Sequence, residues 1–186
     1  FNIFDIIKII NTSLTHNDNM FSDPQPIKNP YDNLPFQKHN LYNIYFFIKF
    51  NINHYNELYH KFFLTNFCMT SFIHKYEYIL REENIKRYVY TSSNERILKE
   101  IKKMIEDFNL TMGLADQILI HSDFPKEKLI QIFKPYLYCY LQSNFSMIAI
   151  NRNYNYQKFL FNMEEFYRYN KLFGRRILKT TKVFKL

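Results

Sequence analysis

Residues 23–48 read DPQPIKNPYDNLPFQKHNLYNIYFFI, and the first half of this stretch holds four of the chain's six prolines. A proline fixes its own φ at about −65° and moves the preceding residue out of the helical region. The four are Pro24, Pro26, Pro30 and Pro35, and they exclude a helix between Asp23 and Leu34. This segment must run extended or turn before a helix can begin.

A tight turn is predicted at Asn29-Pro30-Tyr31-Asp32. Asparagine in the first position and proline in the second favour a type I turn, and Asn33 follows where a positive φ is expected. Pro35 is expected to set φ for a first helical turn. From Lys38 the apolar residues recur at helical spacing, at Leu41, Ile44, Tyr45 and Ile48. A short proline-pinned hairpin is therefore predicted to lead into a buried helix.

The run IKNPYDNLPFQKHNLYNIYF, residues 27–46, resembles a segment of uncharacterised proteins from AT-rich giant (nucleocytoplasmic large) DNA viruses. The wider composition agrees with this resemblance, because AT-rich codons encode Phe, Tyr, Asn, Ile and Lys, which are abundant here. The resemblance implies an origin in such a virus and brings no particular activity with it.

Glycine is scarce, and this excludes two kinds of nucleotide site. The chain has 186 residues with 20 Phe, 16 Tyr and no Trp, but Gly113 and Gly174 are its two glycines. A P-loop or a Rossmann fingerprint needs several glycines close together, so neither is present. Other kinds of nucleotide site stay open.

Apolar residues at helical spacing recur along most of the chain, and 186 residues suit one core. We therefore predict a mainly α fold with a single helical domain. Its parts are an N-terminal helix and loop over residues 1–22, a helical body over 23–174, which includes the hairpin, and an extended basic arm over 175–186. The last body helix is expected from Tyr156 to Phe173. Four aromatic residues are expected to be buried: Tyr45, Phe62, Phe133 and Phe159.

Positive charge is concentrated at the C-terminal end. The net charge is +8, yet the residues before Arg168 hold 18 basic and 17 acidic side chains, and seven basic residues with no acid follow from there on. Apolar residues between these cations would be poorly solvated in a free tail, so we expect the arm to bind a partner. The predicted contact residues are Arg175, Arg176, Ile177, Lys179, Lys182, Val183, Phe184 and Lys185.

No catalytic, cofactor or metal residues are predicted. Glu57 and His60 have the E-x-x-H spacing of di-iron bundles, but the second copy that such a site requires is missing. Cys68 and Cys139 lie in apolar surroundings, so both are interpreted as buried and inert thiols in a reducing compartment. The longest apolar run, residues 41–50, is interrupted by Asn43 and Lys49, so no membrane span is expected.

Aromatic residues at helical spacing are usually core, but one group is kept as a candidate nucleic-acid contact. Tyr154 and Tyr156 lie beside Arg152 and Lys158, and exposed aromatic rings among cations are typical of platforms for single-stranded nucleic acid.

These observations favour a non-enzymatic protein. We expect a structural or assembly component of a large DNA virus particle, a minor capsid or capsid-associated protein, located in the virion and in the host cytoplasm during assembly. Its expected partners are other virion proteins of the capsid shell or the underlying lattice. The alternative is a nucleic-acid-binding viral protein that acts through the basic arm.

Overall fold

The computed structural model describes residues 2–52, 56–113 and 117–176. Two short strands in these ranges, β1 (Asn17–Asp18) and β2 (Phe21–Ser22), pair in antiparallel fashion. The other elements are helices: α1 (Ile3–Leu14), α2 (Lys38–Asn51), α3 (Glu57–Leu64), α4 (Met69–Thr91), α5 (Asn94–Met112), α6 (Lys126–Phe145) and α7 (Ala149–Tyr169). The predicted mainly α fold is confirmed.

Contacts divide the chain into two compact units. Unit 1 holds Phe1–Tyr90 and Phe145–Ala149, and unit 2 holds Thr91–Asn144 and Ile150–Leu186. The predicted boundaries of the N-terminal segment, the helical body and the arm stay predictions.

The core of unit 1 is built from α1, α2, α3 and the first half of α4. Their inward faces contribute Ile7, Ile10, Leu14, Leu41, Tyr45, Ile48, Tyr59, Phe62, Phe72, Tyr76 and Leu80. Asn2 caps α1 in a capping box with Asp5, so the first backbone N–H groups of this helix have partners. The helical spacing that predicted α2 is confirmed, since Leu41, Tyr45 and Ile48 are buried.

The proline-pinned hairpin is present. Lys28 and Pro35 form an antiparallel bridge, and the N–H of Phe36 donates to the carbonyl of Ile27 at 2.9 Å. Asn33 adopts φ 57°, as predicted. The expected role of Pro35 is wrong, because Gln37 is the N-cap of α2 and Pro35 belongs to the bridge instead.

A second hairpin, formed by β1 and β2, is tied to α4 by a buried amide. The side chain of Asn84 is fully buried; it accepts from Asn17 Nδ2 at 3.2 Å and donates to Ser22 Oγ at 3.1 Å. A buried amide without partners is costly, so these two bonds fix the hairpin on the helix. The sequence predicted a loop here, because strands of two residues leave no periodic pattern.

Unit 2 packs α5, α6 and α7 around its own core. Phe133 lies 4.9 Å from Phe166 and Phe108 lies 6.2 Å from Phe159, measured between ring centroids. The four aromatic residues predicted to be buried, Tyr45, Phe62, Phe133 and Phe159, are all buried. Helix α7 begins at Ala149, before the predicted Tyr156. The asparagines in residues 151–155 have low helix propensity and predict a later start, but they are helical in the structure.

Candidate functional site

Most of the predicted arm contacts lie outside the described residues. Arg175 and Arg176 are described, and both are exposed. The other arm positions, Ile177, Lys179, Lys182, Val183, Phe184 and Lys185, are not among the residues that the structure describes. Their role as partner contacts stays a prediction.

The candidate nucleic-acid contacts on α7 fall on two faces of the helix. Lys158 Nζ lies 5.7 Å from the ring centroid of Tyr154, four residues earlier, and Tyr154 is exposed. Arg152 and Tyr156 are likewise four residues apart. Each lies two residues from Tyr154 in sequence, which places them on a different side of the helix. Arg152 is half-buried. The helix therefore brings Tyr154 and Lys158 together and separates them from the other two residues.

Helix α2 carries a group of four aromatic residues outside its buried face, of which three are exposed and Tyr42 is half-buried. We name Tyr42, Phe46, Phe47 and Phe50 the α2 ridge. Phe46, Phe47 and Phe50 are 41, 50 and 73% exposed. The rings of Phe46 and Phe50 stack at 5.9 Å with an interplanar angle of 7°, and the Tyr42 ring stacks on Phe46 at 6.5 Å. Neighbouring exposed rings of this kind mark interaction surfaces, whereas single exposed apolar residues do not.

The α2 ridge is held from below by α3. Phe63 packs edge-to-face against Tyr42 and Phe46, at 5.8 Å from each ring. Phe63 also stacks on the buried ring of Tyr45 at 4.0 Å. The Tyr42 hydroxyl donates to the side-chain carbonyl of Asn66. Because these contacts fix the rings of Tyr42 and Phe46 before any partner arrives, binding would cost little side-chain entropy at these two residues.

The electrostatic character of the α2 ridge is positive. Lys49 Nζ lies 5.7 Å from the ring centroid of Phe50 and 6.0 Å from that of Tyr45, within the range of cation–π attraction. Helix α2 also carries Lys38, and its sequence has no acidic residue. An aromatic surface with excess positive charge suits a partner that is apolar at the centre and acidic at the rim.

One feature of the sequence indicates this surface. Leu41, Tyr45 and Ile48 define the buried face by their spacing, and Phe46, Phe47 and Phe50 fall outside it. No role is assigned to these three residues in the sequence analysis. A helix with more apolar residues than one face can bury has some left for solvent or a partner.

Cys68 is exposed, and the prediction that it is buried is wrong. It immediately precedes α4, where its carbonyl accepts from the N–H of Phe72 at 2.9 Å. The Ser71 hydroxyl, which donates to Sγ at 3.3 Å, and Thr70 lower the pKa of this thiol to about 7. Cys139 is buried as predicted, and burial raises its pKa.

Glu57 and His60 each interact with another side chain, so their positions can be explained without a metal ion. Glu57 pairs with Lys61, and His60 Nδ1 lies 2.6 Å from the Tyr45 hydroxyl. Within residues 2–52, 56–113 and 117–176, no group of three or more His, Cys, Asp or Glu side chains could hold a metal ion. No helix in these ranges is long and apolar enough to cross a membrane.

Comparisons with protein-family models, with curated proteins and with solved structures gave no match.

Proposed function

We propose that this chain is a non-enzymatic assembly component of a large DNA virus particle, and that it binds another protein of the particle through the α2 ridge. The observation that carries the binding role is the exposure of Phe46, Phe47 and Phe50 on one braced helix. Aromatic residues are enriched at the centres of protein interfaces. The assignment to a virus particle, in the capsid shell or the underlying lattice, is supported by the resemblance of residues 27–46.

The partner surface follows from the chemistry of the α2 ridge. Stacked phenyl rings require an apolar groove or the apolar face of a helix, and Lys38 and Lys49 favour carboxylates around it. In this proposal the basic residues of the arm, 175–186, form a second contact with the particle.

The test compares two double variants in particles of the virus that encodes the chain. Phe46→Ser with Phe50→Ser removes the stacked centre of the α2 ridge. Leu64→Ser with Tyr78→Ser is the matched control, because both residues are exposed and apolar but lie outside the ridge. We expect the ridge variant to be lost from purified particles and the control to be retained, as measured by quantitative mass spectrometry.

Two results would contradict the proposal. One is that the wild-type chain is absent from purified particles, and the other is equal incorporation of the ridge variant and the control. Far-UV circular dichroism of the purified variants establishes that a loss of incorporation is not a loss of folding, since all four substituted side chains face solvent.

A second candidate function is nucleic-acid binding through the basic arm. It is favoured by the exposed Arg175 and Arg176 and by the pairing of Lys158 with Tyr154. Binding to phosphates releases counterions, so log K falls with log salt at a slope of about −0.9 per phosphate neutralised. Replacing Lys179, Lys182 and Lys185 by Gln should flatten that slope by roughly three units. An unchanged slope would exclude the arm as the binding element.

A further inference from the structure

Unit 2 contains a cavity of about 290 Å³ between α5, residues 118–122 and the start of α6. Its walls are mostly apolar and are formed by Leu98, Ile105, Ile118, Ile120, Phe124 and Leu129. Small-molecule sites are typically apolar cavities with a few polar groups at defined positions, and this one is at the small end of their size range.

The wall of the cavity opposite α5 is held in place by three local contacts. The side chain of Asn109 bonds both backbone groups of Ile118, at 2.7 and 3.0 Å. The N–H of His121 donates to the carbonyl of Gly174 at 2.8 Å. Gly174 also lies so close to Ile120 that an added Cβ would be 2.6 Å from Ile120 Cδ1. The cavity is therefore formed in advance of any ligand.

The charged groups of the cavity lie on two different elements. Lys102 and Glu106 come from α5, and Lys126 is the first residue of α6. Within the described ranges of the chain, neither lysine has an ion-pair or hydrogen-bond partner. Two ammonium groups against one carboxylate leave an excess of one positive charge, which favours a ligand with a single negative charge.

We propose that this cavity binds an amphipathic monoanion, an unbranched alkyl chain that ends in a carboxylate. The alkyl chain would lie against the apolar walls, and the carboxylate would lie between Lys102 and Lys126. A volume of about 290 Å³ is at the small end of the range for small-molecule sites, which suits a chain of medium length. This site shares no residue with the α2 ridge, so a result that contradicts one proposal leaves the other unchanged.

Decanoate is the probe, and 1-decanol is its uncharged counterpart. We expect the purified full chain to bind decanoate with one-to-one stoichiometry in isothermal titration calorimetry. Because the lysines contact the charged group alone, 1-decanol should bind about tenfold more weakly. In ¹H–¹⁵N correlation spectra, decanoate should shift the amides of Ile118 and Ile120.

Two double variants of equal charge change test the role of the lysines. Lys102→Gln with Lys126→Gln should weaken decanoate binding about tenfold and leave 1-decanol binding unchanged. Lys103→Gln with Lys128→Gln is the control, because these exposed residues are on the same helices but do not line the cavity. The control should bind decanoate as the wild type does.

Several results would overturn this proposal. They are equal affinity for decanoate and 1-decanol, equal loss of affinity in the two double variants, amide shifts confined to residues away from the cavity, and an absence of saturable binding. All of these variants carry substitutions at exposed positions, so folding, monitored by thermal melting, is expected to be unaffected.

Discussion

The side-chain amide of Asn109 takes both backbone hydrogen bonds of Ile118. Its Nδ2 donates to the Ile118 carbonyl at 3.0 Å, and its Oδ1 accepts from the Ile118 N–H at 2.7 Å. A side chain of α5 thus provides the partner for both backbone groups of a residue that lies outside the helices and strands. Since Ile118 is buried, its backbone groups need this partner.

Replacing Asn109 by Ala should lower the free energy of unfolding by about 2 kcal/mol, because two backbone groups of a buried residue lose their partner. Asn153→Ala is the control. Because Asn153 is exposed on α7, the free energy of unfolding of this variant should lie within about 0.5 kcal/mol of the wild-type value. Denaturant unfolding measures both. Equal stabilities of the two variants would mean that the contact between Asn109 and Ile118 does not stabilise the fold.

The two glycines both have positive φ but differ in their surroundings. Gly174 has φ 75° with Ile120 against it, whereas Gly113 has φ 83° and open space where a Cβ would be. Each Ala substitution should cost about 1 to 3 kcal/mol for the backbone conformation, and at Gly113 this cost comes from φ 83° with ψ 176°, a region essentially restricted to glycine. Gly174→Ala adds a steric overlap with Ile120, which the further change Ile120→Ala should relieve in part. Thermal melting measures the loss caused by Gly174→Ala in the wild type and in Ile120→Ala, and equal losses in the two backgrounds would contradict the packing described.

The turn of the proline-pinned hairpin depends on the positive φ of Asn33. Asn33→Val should destabilise the protein by about 1 to 2 kcal/mol, because a β-branched residue is strained in this region. Asn33→Gly should be close to neutral, since glycine adopts this φ without strain. Because Asn33 is exposed, the comparison isolates backbone strain from packing. Equal melting temperatures for the two variants would count against a strained turn.

The two cysteines should differ in reactivity and in pH dependence. The pKa of Cys68 is lowered to about 7 from 9.0, first by the Ser71 hydroxyl, so its reactive thiolate is the majority form above about pH 7. Alkylation of native protein by iodoacetamide should therefore modify Cys68 with a half-maximal rate near pH 7. Cys139 should react after unfolding, because it is buried.

Ser71→Ala removes the largest cause of the lowered pKa and should move the half-maximal rate of Cys68 to higher pH. Mass spectrometry of intact protein counts the modified thiols at each pH. A rate for the wild type that is half-maximal near pH 9 would show that the hydroxyl contacts do not stabilise the thiolate.

The sequence by itself determined the helical class, most of the helices and their buried faces. Tyr45, Phe62, Phe133 and Phe159 are buried as predicted, because a 3.6-residue period of apolar residues identifies the face that must leave water. The positive φ of Asn33 was also predictable, since turn chemistry acts within four or five residues. Helical periodicity and turn chemistry were therefore sufficient to predict helices and turns, because these depend on residues that are close in sequence.

Only the tertiary structure decided which apolar faces are covered and which are not. Phe46, Phe47 and Phe50 are exposed because the inward face of α2 is already filled, and Cys68 is exposed immediately before α4. The contact of Asn109 with Ile118 likewise has no signal in sequence. A sequence pattern gives the chemical character of a face, but burial depends on what lies opposite it, and that is set by contacts between residues distant along the chain.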